Sequence, residues 1–188
     1  MGRLHYCCLD WWTRGMEDDE EKKEIIETIA DFKNTLRWDE LMDGKWYDRE
    51  GISLLIYAVT ASNHTLTKLI LEEIKGRDDI LNGKISKAGY PTIGIPGSMT
   101  PLLMAISVSK FQIVTLLLEQ GAKPDDMDKT GNTVLHTACA LGRLENVKEW
   151  LKRFPNDSNK LNQGNTILGA TPLCIALYMS QHNYDLVK

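Results

Sequence analysis

A short pattern returns four times along this chain, and it limits the fold more than any other feature. A hydroxyl residue (Ser53, Thr100, Thr133, Thr171) is followed two positions later by leucine (Leu55, Leu102, Leu135, Leu173). Three positions after that comes alanine (Ala58, Ala105, Ala138, Ala176). The hydroxyl anchors are separated by 47, 33 and 38 residues. A fixed period of this size signals a stack of similar units rather than one closed core.

Each position has a physical reason. Asp128 and Gly131 suit a tight turn, because glycine accepts positive φ without steric cost. The hydroxyl that follows can accept a backbone N–H at a helix start. Pro101 and Pro172 fit a first helical turn, where no N–H is needed. Leucine and alanine then share one face, and alanine allows a neighbouring helix to approach closely. A second helix carries apolar residues at helical spacing: Phe111, Val114, Leu117 and Leu118 in one unit, Leu144, Val147 and Leu151 in the next. Two such short helices cannot bury their apolar faces alone, so several units must stack.

The stretch 131–151, with its Thr133-Val134-Leu135-His136-Thr137-Ala138 core, resembles an ankyrin repeat, whose signature is Thr-Pro-Leu-His-x-Ala within 33 residues. The resemblance extends over residues 48–188. It implies an all-α solenoid of stacked helix–turn–helix units joined by hairpin-like fingers. The two long separations exceed the period by about 14 and 5 residues. These excesses fall in turn-rich stretches, 76–98 and 154–169, which read as enlarged fingers. Glycines and prolines such as Gly83, Gly89, Pro91, Gly94 and Pro96 forbid a long helix in the first. The repeats are expected at about 48–82, 97–127, 128–160 and 166–188. The inner helix of the first is expected over residues 54–60, its outer helix over 66–75. Departures from the signature are Ser62 and Ser109 at the inter-helix glycine position, Val134 for proline, and Asn146 and Glu149 within an outer-helix stripe.

Before the repeats, residues 1–17 form a segment rich in aromatic residues and cysteine. Residues 18–47 read as an N-terminal helical capping unit with Ile25, Ile26, Ile29 and Phe32 on one face. Terminal repeats are commonly atypical because their outer faces meet water. The last repeat is expected to be incomplete, with residues 185–188 as the opening turn of an outer helix. That reading implies a longer protein.

Composition narrows the function. A net charge of −4 gives no nucleic-acid surface. Four cysteines, Cys7, Cys8, Cys139 and Cys174, do not form a secreted disulfide framework. An intracellular, cytoplasmic protein is expected. Met1-Gly2 opens a myristoylation motif, but Tyr6 stands where serine or threonine belongs. Membrane contact is therefore expected only through such lipidation or through a membrane domain after residue 188.

No catalytic residue, cofactor site or metal site is expected. His136 and Cys139 lie three apart on one helix, but His136 matches the signature histidine and Cys139 replaces a small residue. His5, Cys7 and Cys8 lack zinc-site spacing. There is no P-loop or dinucleotide fingerprint. The resemblance implies a non-catalytic protein-interaction scaffold, or the N-terminal regulatory part of a larger enzyme or ion channel. Finger tips and exposed inner-helix positions would contact another protein. Carried over position by position, the candidates are Arg49, Glu50, Ile52, Tyr90, Ile93, Met99, Ser107, Val108, Met127, Lys129, Thr130, Asn132, Ala140, Leu141, Tyr178 and Met179. Thr60, Ala61, Ile167, Leu168 and Ala170 extend the same surface.

Overall fold

The computed structural model describes residues 52–85, 97–108, 111–156 and 158–184. The segment at 1–17, the capping unit at 18–47, and the candidates Arg49, Glu50, Tyr90 and Ile93 lie outside the described residues.

Nine helices are described: α1 (Leu54–Thr60), α2 (His64–Glu73), α3 (Asp78–Leu81), α4 (Pro101–Val108), α5 (Phe111–Glu119), α6 (Val134–Ala140), α7 (Leu144–Arg153), α8 (Ser158–Leu161) and α9 (Pro172–Tyr184). The inner layer runs α1, α4, α6, α9, each packed on the next. The outer layer runs α2, α5, α7, and each outer helix also packs on the inner helix of its own repeat. The chain is an all-α solenoid of stacked helix pairs.

The hydroxyl anchors start the inner helices as expected. The Ser53 Oγ accepts from the Ile56 N–H at 3.3 Å, the Thr100 Oγ1 from Leu103 at 3.3 Å, and the Thr171 Oγ1 from Cys174 at 3.3 Å. The leucines two residues on are buried in three repeats, at 0% (Leu55), 1% (Leu102) and 1% (Leu135) exposure. Leu173, on the outermost described helix, is exposed.

Outer helices bury two registers, thirteen and seventeen residues after the anchor. The first holds Leu66, Ile113 and Asn146; the second holds Ile70, Leu117 and Trp150, all buried. The stripe expected for α7 was out of phase. Leu144 is 61% exposed, whereas Asn146 and Trp150 face inward and Val147 packs at the edge of the core. The helix rotates so that Trp150, the largest apolar side chain available, is covered, with the Phe154 ring tilted against it at a 4.7 Å centroid distance. Burial of one such aromatic is worth more than that of a leucine at the end of the helix.

Both enlarged fingers open with a helical turn, which sequence reasoning did not anticipate. Helices α3 and α8 begin at the same offset from Ser53 and Thr133. In α3, Asp78 and Asp79 occupy the first turn, where negative charge complements the helix dipole, while Ile80 and Leu81 anchor it in the core. Backbone bonds from Ile85 N–H to the Met99 carbonyl (3.0 Å) and from Ser98 N–H to the Ile85 carbonyl (3.1 Å) then close the base of the loop. Ile85 is buried, so residues 84 and 85 belong to the repeat framework rather than to a dispensable loop.

The fourth unit departs from the expected pattern. A helix–turn at Ser180 is expected by analogy with Ser62 and Gly142, which take left-handed φ values of 53° and 63°. Helix α9 instead continues through this position to Tyr184. A left-handed serine is unfavourable by itself. At Ser62 it is offset by the aliphatic residues of α2, including Leu66, Ile70 and Leu71, which reach the core.

Candidate functional site

The fingers of repeats three and four are held by a continuous network. Asp128 organises its turn. Its Oδ1 accepts from the Thr130 N–H (2.7 Å), the Thr130 hydroxyl (2.7 Å) and the Asn132 N–H (2.9 Å), and its Oδ2 accepts from Asn132 Nδ2 (3.1 Å). Asn165 takes the same role in the next finger, accepting from the Leu168 N–H at 2.9 Å and the Ala170 N–H at 3.3 Å. The two turns are tied together by Asn165 Nδ2 donating to Asn132 Oδ1 (3.1 Å), and by the Thr166 N–H and hydroxyl donating to the Thr130 carbonyl (3.2 and 2.9 Å).

His136 completes the link. The Thr133 N–H donates to its Nδ1 at 3.2 Å, so Nδ1 is an acceptor and Nε2 carries the proton. Nε2–H then donates to the Ala170 carbonyl at 3.0 Å. With both ring nitrogens engaged, His136 is not free to activate Cys139, whose thiol burial pushes up in pKa. The ring is a buried strut between repeats.

The stretch 123–127, which leads into the third finger, is clamped from both sides. Lys123 Nζ meets Asp78 at 3.0 Å, and the Lys123 N–H donates to Asn82 Oδ1 at 2.9 Å. Lys84 Nζ donates to the Met127 carbonyl at 2.9 Å and lies 3.9 Å from Asp126. From the other side, Lys160 meets Asp125 at 2.6 Å while its Nζ sits 5.9 Å from the Phe154 ring centroid. The Lys123 hydrogen bond, aided by Asn82, holds the Asp78 carboxyl below the usual carboxylate range. The Arg77 fork, bonded through both nitrogens at 3.0 Å, does the same for Asp79.

This geometry sorts the sequence candidates. Ile52 (0% exposed) and Met99 (3%) are core residues and leave the candidate surface. Both precede an anchor hydroxyl and belong to the hydrophobic core; the Met99 carbonyl also accepts from the N–H of buried Ile85. Ser107 and Thr60 are buried, each donating its hydroxyl at 2.7 Å to a carbonyl of its own helix, Met104 and Ile56. Thr130 and Asn132 are half-buried and committed to finger stacking. Met127 and Ala140 are half-buried, and Lys129 is exposed.

What remains is an apolar row. The residue eight places after each anchor is Ala61, Val108, Leu141 and Met179 in turn. Ala61 is half-buried and the other three are 36%, 51% and 37% exposed. Tyr178 sits beside the row at 60% exposure. The inner helices contribute no charge to it: α1, α4 and α6 contain no Asp, Glu, Lys or Arg. Among the described residues no group of acidic, histidine or cysteine side chains could hold a metal ion. No described helix is long and apolar enough to cross a membrane.

Stacked helix pairs with a signature histidine strut and hydrogen-bonded fingers define a repeat-type binding module. The chain belongs to the ankyrin-repeat family; the family model for ankyrin repeats (3 copies) matches residues 56–160 and 102–188. Repeats of this family form a protein–protein interaction domain, and this chain carries one. It is similar to NF-kappa-B inhibitor alpha of Sus scrofa, 28% identical over 134 residues, covering 69% of this chain and 39% of that protein. Zygote-specific protein 3 of Chlamydomonas reinhardtii is 34% identical over 82 residues, covering 43% of this chain and 22% of the relative. Glycerophosphocholine phosphodiesterase gde1 of Schizosaccharomyces pombe is 39% identical over 64 residues, covering 34% of this chain and 6% of the relative. The chain thus spans well under half the length of these curated relatives.

Proposed function

We infer that this protein is a non-catalytic intracellular adaptor that binds another protein across the ends of its inner helices and its finger tips. The observation that carries the reading is the uncharged row Val108, Leu141, Met179 with Tyr178 beside it. Folding alone gives no reason to leave aliphatic side chains exposed at the same position of successive repeats. Met and Tyr supply adaptable apolar contacts. The similarity to an inhibitor named for another protein supports the same class of activity.

A photo-crosslinking amino acid at Leu141 tests it. In cells it should capture a discrete protein, while the same group at exposed Lys152, on an outer helix, should not. Equal capture from both positions would remove the inner-helix face from consideration. A second reading, a regulatory ankyrin domain of a larger enzyme or ion channel, draws on the short match within gde1. Activity of the full-length protein with and without this domain decides it.

A further inference from the structure

The fourth finger carries an exposed apolar tip. The third finger closes its turn by the Asp128 N–H donating to the Asn132 carbonyl; the fourth closes by the Asn165 N–H donating to the Ala170 carbonyl. The fourth turn is therefore one residue longer. Its tip is Ile167-Leu168, 64% and 79% exposed, and Leu168 is more exposed than any other large hydrophobic residue described. This exposure belongs to a fixed turn. The Leu168 N–H is held by Asn165 Oδ1, the Gly169 N–H by the Asn165 carbonyl at 3.0 Å, and Thr166 by the carbonyl of Thr130. Gly164 lies so close to Gly169 that a Cβ there would come within 2.5 Å of the Gly169 carbonyl oxygen. The backbone that carries these two exposed aliphatic side chains is thus hydrogen-bonded in place, which lowers the ordering cost when a partner covers them.

The charge beside the tip is equally specific. Lys129 precedes Thr130, and Ile167 follows Thr166, so the Thr166–Thr130 bond places the two side chains on neighbouring fingers. The described acids around this finger are already engaged: Asp125 with Lys160, Asp126 near Lys84, and Asp128 within its own turn. Among the described residues Lys129 has no carboxylate partner, so the tip presents aliphatic surface next to an uncompensated cation in a chain of net charge −4.

We propose that Lys129, Ile167 and Leu168 form a docking site for a linear segment of a partner protein bearing a bulky apolar side chain and a nearby carboxylate. The apolar side chain covers Ile167 and Leu168, and the carboxylate meets the Lys129 ammonium. This deepens the protein-binding reading above and rests on it. A bilayer is the poorer occupant: two aliphatic residues and one cation fall far short of the apolar face and basic cluster that hold a protein on a membrane.

The test is selection of the whole chain against a displayed library of short random peptides, followed by affinity measurement on the enriched sequences. Enrichment of Asp or Glu within a few residues of Leu, Ile, Met, Phe or Trp is expected. Leu168→Asp should weaken those peptides about tenfold or more. Lys129→Glu should turn selection toward Lys- and Arg-bearing peptides. Because these side chains are exposed, circular dichroism and melting should match the parent. Enrichment of basic peptides by the parent overturns the proposal, as does no enrichment at all, or binding indifferent to both substitutions. Peptides lost with Leu141→Asp but not with Leu168→Asp overturn it while leaving the inner-helix reading intact. Self-association abolished by Leu168→Asp overturns it in favour of a second copy of the chain.

Discussion

Asn146 of α7 donates its Nδ2–H to the carbonyl of Ile106, near the end of α4, at 3.1 Å. The last four carbonyls of a helix have no intrahelical partner. Neighbours supply partners for three of them in α4: Asn146 for Ile106, the Arg143 guanidinium for Ser107 (3.0 Å), and the Ser62 hydroxyl for Val108 (3.3 Å). Side chains from the repeats on either side thus cap a helix that has Ser109 where the family has glycine.

Asn146→Ala should therefore destabilise by about 1–3 kcal/mol, since a buried carbonyl is left unsatisfied. Urea denaturation should show a lower midpoint at unchanged slope. An unchanged midpoint would mean that water serves the Ile106 carbonyl equally well.

Leu135→Ala opens space between α6 and its neighbours, where Leu135 is 1% exposed. A loss of about 2–5 kcal/mol is expected. Because each repeat touches only those beside it, hydrogen exchange should rise first in α6, α7 and α9 and least in α1. A uniform rise along the chain would contradict nearest-neighbour stacking.

Two glycines with left-handed backbone should respond differently to alanine. At Gly131 (φ 75°) a Cβ would lie 2.6 Å from the Thr166 backbone nitrogen; at Gly142 (φ 63°) it would meet nothing within 4 Å. Gly142→Ala carries only the backbone cost, about 1–2 kcal/mol. Gly131→Ala adds a clash that must push apart the third and fourth fingers. It should be the more damaging of the two in thermal melts, and equal melts would refute the close approach of the fingers.

Cys174 and Cys139 should differ in reactivity. Hydrogen bonding to Thr171 lowers the Cys174 pKa, and this thiol is exposed. Burial raises the Cys139 pKa. The thiolate is the nucleophile, so at a given pH the lower pKa leaves more of it. Iodoacetamide near neutral pH should modify Cys174 first, with Cys139 following only as pH rises, read by peptide mass mapping. Faster labelling of Cys139 would show that α6 opens more readily than its packing implies.

Sequence by itself determined the repeat architecture, because its marks are local. An anchor hydroxyl, a leucine two residues on and an alanine three further report a helix start and its buried face without reference to distant residues. The expected span of α1, residues 54–60, matches the observed helix for that reason. Tertiary structure alone decided what depends on the neighbouring repeat. It buried Ile52 and Met99 in the core, turned α7 so that Trp150 rather than Leu144 is covered, and gave Asn146 a carbonyl from α4 to bond. It also clamped the stretch before the third finger with lysines and a carboxylate some forty residues away. Periodicity places a residue on a face of its own helix, but whether that face is covered is settled only when the next unit stacks on it.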